Sequence, residues 1–370
     1  MRGFAYIEKG KTGFIDVPKP KLKNDYDVLI KMSLVAPCTT DIEMVKVGAS
    51  LSNRILGHEG VGIIEEVGSK VRFLKVGDRV AVPESVPAFD SDEGLNGVAN
   101  WSMNPPSIRM ADPTTQGQFT EFVIHERADG SLYPLPNEVS DEQAVMLTDM
   151  IPTAYTGINY LDIKLGENVA IIGIGPVGLM AVELARLSGA SRIFAVGSRK
   201  YCVEVAKKMG ATDIIDYHNG SISEQIIKLN DGEVDKVLIA GGQSDIFIEA
   251  FKMCRRGGKI ANVATYYENS PKSLSILTDP ILSYDKEFRS LNFYSDRLQQ
   301  KRCIDLIRYG KLHPEYLITH RYNGLESIEQ AFYDMSLKSP DMIKPVVKLW
   351  QHKNIIYERD QLKQLVFYFI

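Results

Sequence analysis

Cysteine is scarce in this chain: 370 residues hold four, Cys38, Cys202, Cys254 and Cys303. They are widely scattered and form no C-x-x-C pair, which argues against a disulfide framework and against a four-cysteine structural zinc site. Long apolar runs are missing too. None approaches the roughly 20 residues of a membrane span, and the six apolar residues Leu365 to Ile370 at the end fall well short. Neither sign of charge dominates, since 43 Lys and Arg against 47 Asp and Glu leave a net charge of −4. No basic face for nucleic acid is therefore expected. The opening Met1-Arg2-Gly3-Phe4-Ala5-Tyr6 enters strand-like alternation at once, unlike a secretory leader, so the expected location is the cytoplasm.

The chain is too long for one ordinary core, and two domains are expected. The first 150 residues read as short strands punctuated by glycine and proline, among them Val28–Met32, Val61–Val67 and Arg79–Val82, as in a small barrel-like β domain. The polar, weakly periodic stretch from Asp90 to Gln116 reads as a long loop. From about Asn159 strands and helices alternate. The strands are placed at Val169–Ile172, Arg192–Val196, Ile214–Ile215, Lys236–Ala240 and Lys259–Val263. The helices are placed at Val177–Leu187, Tyr201–Met209, Ser221–Leu229 and Asp245–Cys254. That rhythm predicts a doubly wound parallel sheet, giving an α/β two-domain fold. Leu298–Arg308 reads as a helix and Ile343–Leu349 as extended.

Gly173-Ile174-Gly175-Pro176-Val177-Gly178 is a G-x-G-x-x-G between a predicted strand and a predicted helix. The first glycine permits the turn, the second lets backbone approach a pyrophosphate, and the third allows close helix–strand packing. The helix N-terminus adds N–H donors and partial positive charge. The end of the next strand identifies the nucleotide. An NAD enzyme places Asp or Glu there for the ribose hydroxyls, whereas this chain has Gly197-Ser198-Arg199-Lys200. A hydroxyl and two cations suit a 2′-phosphate, so NADP(H) is preferred over NAD(H).

Gly57-His58-Glu59-Gly60-Val61-Gly62 forms a second compact signature, with Cys38 twenty residues before His58 and Asp149 far downstream. A thiolate, an imidazole and a carboxylate make a plausible three-ligand zinc site with an open position. Glu59 is a possible transient fourth ligand. Taken singly, Cys38 and His58 read equally as core residues and Asp149 as a turn residue.

The Gly57-His58-Glu59 signature resembles the zinc-binding signature of medium-chain alcohol dehydrogenases. Ala36-Pro37-Cys38-Thr39, Gly173 to Met180 with Ala195 to Arg199, and Ile343 to Val347 are similar to the NADP-dependent secondary-alcohol dehydrogenases of anaerobic bacteria and amoebae. The similarity runs from residue 1 to about 349. It implies a GroES-like, mostly β catalytic domain over 1–152 completed by 291–349, a Rossmann domain over 153–290, and a tail over 350–370. It also implies Cys38, His58 and Asp149 as ligands of one catalytic zinc, with Glu59 adjacent and no structural zinc. Ser198, Arg199 and Tyr217 would surround the 2′-phosphate, and Val263, Ala264, Thr265 and Lys338 would add cofactor contacts. Thr40 falls where the family has its proton-relay hydroxyl. Members are typically homotetramers that exchange a hydride between NADP(H) and a small alcohol or ketone.

Departures gather on the substrate side. Glu43 stands where close relatives commonly carry histidine, and the stretches 90–116 and 265–295 diverge. A secondary alcohol is the expected substrate, with a polyol, sugar or aldehyde as the alternative. A zinc-free quinone or enone reductase would lack the metal ligands, which are all present. A non-catalytic cofactor-binding protein is the remaining alternative.

Overall fold

The computed structural model describes residues 1–48, 50, 52–103, 115–243, 245–266, 283–337 and 339–350. The N-terminal part carries strands β1 (Arg2–Glu8), β2 (Lys11–Asp16), β3 (Val28–Val35), β4 (Arg54–Ile55), β5 (Gly60–Val67), β6 (Arg79–Val82) and β7 (Phe122–His125). β2, β1 and β4 form a small antiparallel sheet. β3 is apolar along most of its length and buried from end to end except at Lys31, because it pairs with both β5 and β7. Pairing on both edges satisfies its backbone groups, and covered faces explain the near-continuous apolar run.

Next come β8 (Asn168–Ile172), β9 (Arg192–Val196), β10 (Asp213–Ile215), β11 (Val234–Ile239), β12 (Cys254–Asn262) and β13 (Glu287–Ser290). All pair in parallel, in the spatial order β10-β9-β8-β11-β12-β13. This is the dinucleotide-binding order, whose switch point lies between β8 and β11. The chain then returns to the sheet of β3, β5 and β6 through β14 (Ile318–Asn323) and β15 (Lys344–Lys348), and β15 lies antiparallel against β3.

Helix α1 (Thr39–Val47) follows β3, and helix α2 (Asp92–Leu95) is a single turn. α3 (Asp141–Ala144) and α4 (Met150–Leu161) lead into the parallel sheet, where α5 (Pro176–Leu187), α6 (Lys200–Met209), α7 (Ile222–Asn230) and α8 (Ile246–Met253) are its crossover helices. α9 (Arg297–Arg308) and α10 (Ser327–Ser336) belong to the returning segment.

Most expected elements recur with ends moved by a few residues. β3 and β12 run longer than expected, and α4 and α10 were not anticipated. α4 hides from a periodicity reading because it is apolar nearly all round, buried on nine of its residues between the two parts. The stretch 90–116 is not wholly loop: α2 and a 3₁₀ turn at Ala99–Trp101 lie within it. Ser91 caps α2 by accepting from the Gly94 N–H at 3.0 Å, a local signal hidden in a polar sequence. Lys338, residues 104–114 and 267–282 and the tail 351–370 lie outside the described residues. Trp350 is held to the body by its indole N–H, which donates to the Met32 carbonyl. No helix among the described residues is long and apolar enough to cross a membrane.

Candidate active site

Sheet register brings the metal-type side chains together. Val35 pairs with Gly60, and the Ala36 N–H donates to the Glu59 carbonyl at 3.0 Å. The end of β3 therefore delivers Cys38 beside His58 and Glu59, just before β5. Gly57 has φ +89°, and a Cβ there would lie 2.3 Å from the Phe119 ring, so only glycine makes this approach. β15 enters from the opposite edge with Val347 against Val35, and the same register carried three residues further places Lys344 level with Cys38. Asp149 arrives as the residue preceding α4, with φ −144° and ψ −58°.

The ligating atoms of Cys38, His58, Glu59 and Asp149 all lie within 4.8 Å of one another, and all four residues are buried. Cys38 Sγ is 3.6 Å from Asp149 Oδ2, and His58 Nε2 is 3.5 Å from the same oxygen. Sequence spacing left this convergence open; the fold supplies it. Asp41 Oδ1 lies 3.2 Å from His58 Nδ1 and accepts from the Gly57 N–H at 3.2 Å, while Oδ2 accepts from the Cys38 N–H. A hydrogen bond at Nδ1 leaves Nε2 as the lone-pair nitrogen, the orientation a metal ligand needs. Thr153 Oγ1 likewise donates to Asp149 Oδ1 at 2.9 Å, leaving Oδ2 facing Cys38 and His58.

Behind this cluster Lys344 Nζ lies 2.5 Å from Glu59 Oε1, with both side chains fully inaccessible. Glu59 Oε2 has no hydrogen-bond partner among the described residues. Burial pushes the Cys38 thiol up. Burial also raises Glu59 to about 7, against the opposing pull of Lys344. Burial would lower His58, yet Asp41 and Cys38 hold it well above its usual value. For Asp149 burial is likewise outweighed, and hydrogen bonding and charge from His58 keep its carboxyl low. A thiol and two carboxylates crowded on one imidazole, with an orphaned carboxylate oxygen, form a donor set that fits a divalent zinc ion. Cys202, Cys254 and Cys303 are buried elsewhere as free thiols. Among the described residues, no other group of three or more candidate ligands converges.

The glycine-rich turn sits at the carboxyl end of β8, beside the switch point. Gly173 has φ +90°, and a Cβ there would meet the Gly241 backbone at 2.9 Å. A Cβ on Gly178 would strike the Gly173 carbonyl, whereas around Gly175 nothing lies within 4 Å. Tight packing flanks an open space where backbone can approach a phosphate. α5 begins at Pro176, with Val177 and Gly178 in its first turn. Gly197, Ser198 and Arg199 follow β9, and Ser198 Oγ donates to Tyr217 Oη at 3.1 Å. Arg199 Nη1 donates to the Met342 carbonyl at 2.7 Å. Val263 to Thr265 follow β12, on the same carboxyl edge. Ile174 is buried against Gly197. Thr40 lies half-buried in the first turn of α1, and Glu43 is paired with Lys46 at 3.1 Å.

Comparison with known proteins gives the same architecture. Residues 24–137 match the alcohol dehydrogenase GroES-like domain, and residues 176–308 match the zinc-binding dehydrogenase model. An NADP-dependent isopropanol dehydrogenase of Thermoanaerobacter brockii is 43% identical over 94% of this chain and 100% of its own length. One from Entamoeba histolytica is 41% identical over 94% of this chain and 96% of its own. The chain belongs to the zinc-containing medium-chain alcohol dehydrogenase family, in its NADP-dependent secondary-alcohol branch. Among solved structures, an alcohol dehydrogenase from Thermus sp. ATN1 superposes with a TM-score of 0.82 at 27% identity, covering 95% of this chain and 100% of that one.

Sequence reasoning missed three residues that shape this site. Asp41 carried a local signal, three residues after Cys38 in the first turn of α1, where a carboxylate reaches back to exposed N–H groups. Thr153 is one helical turn after Asp149. Lys344 had no local signal, because it reaches Glu59 across 285 residues.

Proposed function

We propose that this protein oxidises small secondary alcohols, and reduces the matching ketones, with zinc and NADP(H). The convergence of Cys38, His58, Glu59 and Asp149 within 4.8 Å carries this reading. Cys38, His58 and Asp149 would hold one catalytic zinc, with Glu59 as the alternative fourth ligand, and no second, structural zinc is expected. Bound there, zinc supplies Lewis acidity toward an alcohol or carbonyl oxygen, and the nicotinamide supplies the hydride chemistry.

The chain's own groups do the positioning. Asp41 fixes the His58 ring, and Thr153 fixes the Asp149 carboxylate. The Thr40 hydroxyl takes the substrate's proton and passes it outward. The turn Gly173, Ile174, Gly175, Pro176, Val177 and Gly178 frames the pyrophosphate, its non-proline residues through backbone N–H groups and Pro176 through its fixed φ. Gly197, Ser198, Arg199 and Tyr217 surround the 2′-phosphate, with Val263, Ala264, Thr265 and Lys338 as further contacts. The domains are 1–152 with 291–349 and 153–290, followed by the tail 350–370. The protein works as a cytoplasmic homotetramer, a reading supported by the family resemblance.

An NADPH-absorbance panel tests the substrate and cofactor together. The expected result is kcat/KM for 2-propanol and 2-butanol about tenfold or more above that for primary alcohols and polyols, with NADP⁺ preferred over NAD⁺ by a similar factor. A polyol preference overturns the substrate assignment, and equal use of NAD⁺ overturns the cofactor assignment.

A further inference from the structure

Arg199 and Lys344 stand at the two ends of one short piece of chain. Arg199 Nη1 holds the Met342 carbonyl at 2.7 Å, linking the second βα turn of the parallel sheet to the returning segment. Two residues later Lys344 Nζ holds Glu59 Oε1 at 2.5 Å. At most about 7 Å of backbone separates Met342 from Lys344. The piece has little slack. Met342 packs into the core of the β part, and Ile343 into the core that runs between the two parts. The Ile343 N–H is also tied to Thr319 Oγ1 at 3.0 Å. Close-packed segments of this kind transmit displacement rather than absorb it.

The guanidinium is a rigid fork with five N–H donors. The Met342 carbonyl takes only Nη1, so other donors of Arg199 remain for a phosphate. A ligand phosphate and the Met342 carbonyl can thus be held by one planar group at once. At the other end, Lys344 holds Oε1 of Glu59, the same oxygen that lies 3.8 Å from His58 Nε2, and Oε2 has no partner among the described residues. How far Glu59 can offer an oxygen to the metal depends on how firmly Lys344 keeps Oε1.

We propose that Met342–Lys344 couples the 2′-phosphate site to the metal site, with Arg199 and Lys344 as positioning residues at its ends. Resting on the assignments of zinc and NADP(H) made above, the coupling works as follows. A 2′-phosphate on Arg199 fixes the Met342 carbonyl, steadies Lys344 on Glu59 Oε1, and so fixes the Glu59 carboxylate beside His58. A dinucleotide without that phosphate leaves Arg199 fastened only at its Met342 end, with nothing fixing the guanidinium from the other side.

The test uses adenosine 2′,5′-bisphosphate, which carries the phosphate but has no nicotinamide half to cover the metal. Zinc release from the zinc-loaded enzyme into excess chromogenic chelator is timed with saturating 2′,5′-bisphosphate, with 5′-AMP, and with neither; binding of each nucleotide is measured by calorimetry. The expected result is release slowed about fivefold or more by the bisphosphate and unaffected by 5′-AMP. Lys344→Met should abolish the slowing. Arg199→Lys should bind the bisphosphate through its charge yet show no slowing, because an ammonium is not a two-ended fork; this variant leaves the buried pair intact. Tight bisphosphate binding with unchanged zinc release overturns the coupling alone, as does slowing that survives in either variant. No preference for the bisphosphate over 5′-AMP overturns the NADP(H) assignment, and the coupling with it.

Discussion

At the metal end of the site, Cys38, His58, Glu59, Asp149 and Lys344 are all buried, and the ammonium and carboxylate that meet there lie 285 residues apart in sequence. At the phosphate end, Ser198 and Tyr217 are 19 residues apart, and Tyr217 is 51% exposed. Buried charges depend on every partner, because a charge left alone in a dry interior is costly. Exposed groups around a phosphate are solvated when empty, so they cost little to keep and act mainly through ligand binding. On the assignments proposed above, one end is therefore coupled to the stability of the fold, and the other to the choice of nucleotide.

Lys344→Met breaks the comparison hardest. Removing one partner of a buried pair costs about 3–5 kcal/mol, so a clear fall in the thermal midpoint is expected. Adding Glu59→Gln to Lys344→Met should recover part of the loss, since no buried carboxylate is then left unpaired. A wild-type midpoint in Lys344→Met would mean that Glu59 does not depend on the ammonium.

Arg199→Ala should do the opposite, leaving the midpoint near wild type while weakening NADPH far more than NADH. A charge-assisted phosphate contact is worth roughly 1.5–3 kcal/mol, or about ten- to a hundredfold in affinity. Equal losses for both nucleotides, measured by fluorescence titration, would remove the 2′-phosphate assignment.

The smallest effect sharpens the exposed end. Arg192 donates through Nε and Nη2 to both oxygens of Asp213 at 2.8 Å, fastening β9 to β10 below Ser198 and Tyr217. That hydrogen bonding holds the Asp213 carboxyl below its ordinary 3.8, against a weaker effect of burial. The folded value is thus the lower one, so the contribution is full above about 3.8 and fades as pH falls through the folded value. Asp213→Asn should cost about 0.5–1 kcal/mol at pH 7, and its difference from wild type should shrink in acid unfolding. A difference that grows with acidity would contradict the sign.

The same contrast explains what the sequence made legible. Phosphate-end residues are local: strand, Gly173 to Gly178, helix, and then the end of the next strand. A glycine with positive φ and a cation at a strand end can be read without knowing the fold. Cys38, His58 and Asp149 were nameable as candidates, but their convergence depends on β3 pairing with β5 and on the start of α4. Lys344 was invisible as a site residue, because nothing in Ile343-Lys344-Pro345 shows which strand β15 will join. α4 escaped for a related reason: a helix buried on nearly every side has no polar face to set its period.

The central claim is that the buried cluster is a zinc site, and metal content tests it most directly. Protein purified without chelator should carry about one equivalent of zinc per chain, and Cys38→Ser should lose most of it while still folding. Less than about half an equivalent in the wild type, together with unchanged metal content and activity in Cys38→Ser, would contradict the account.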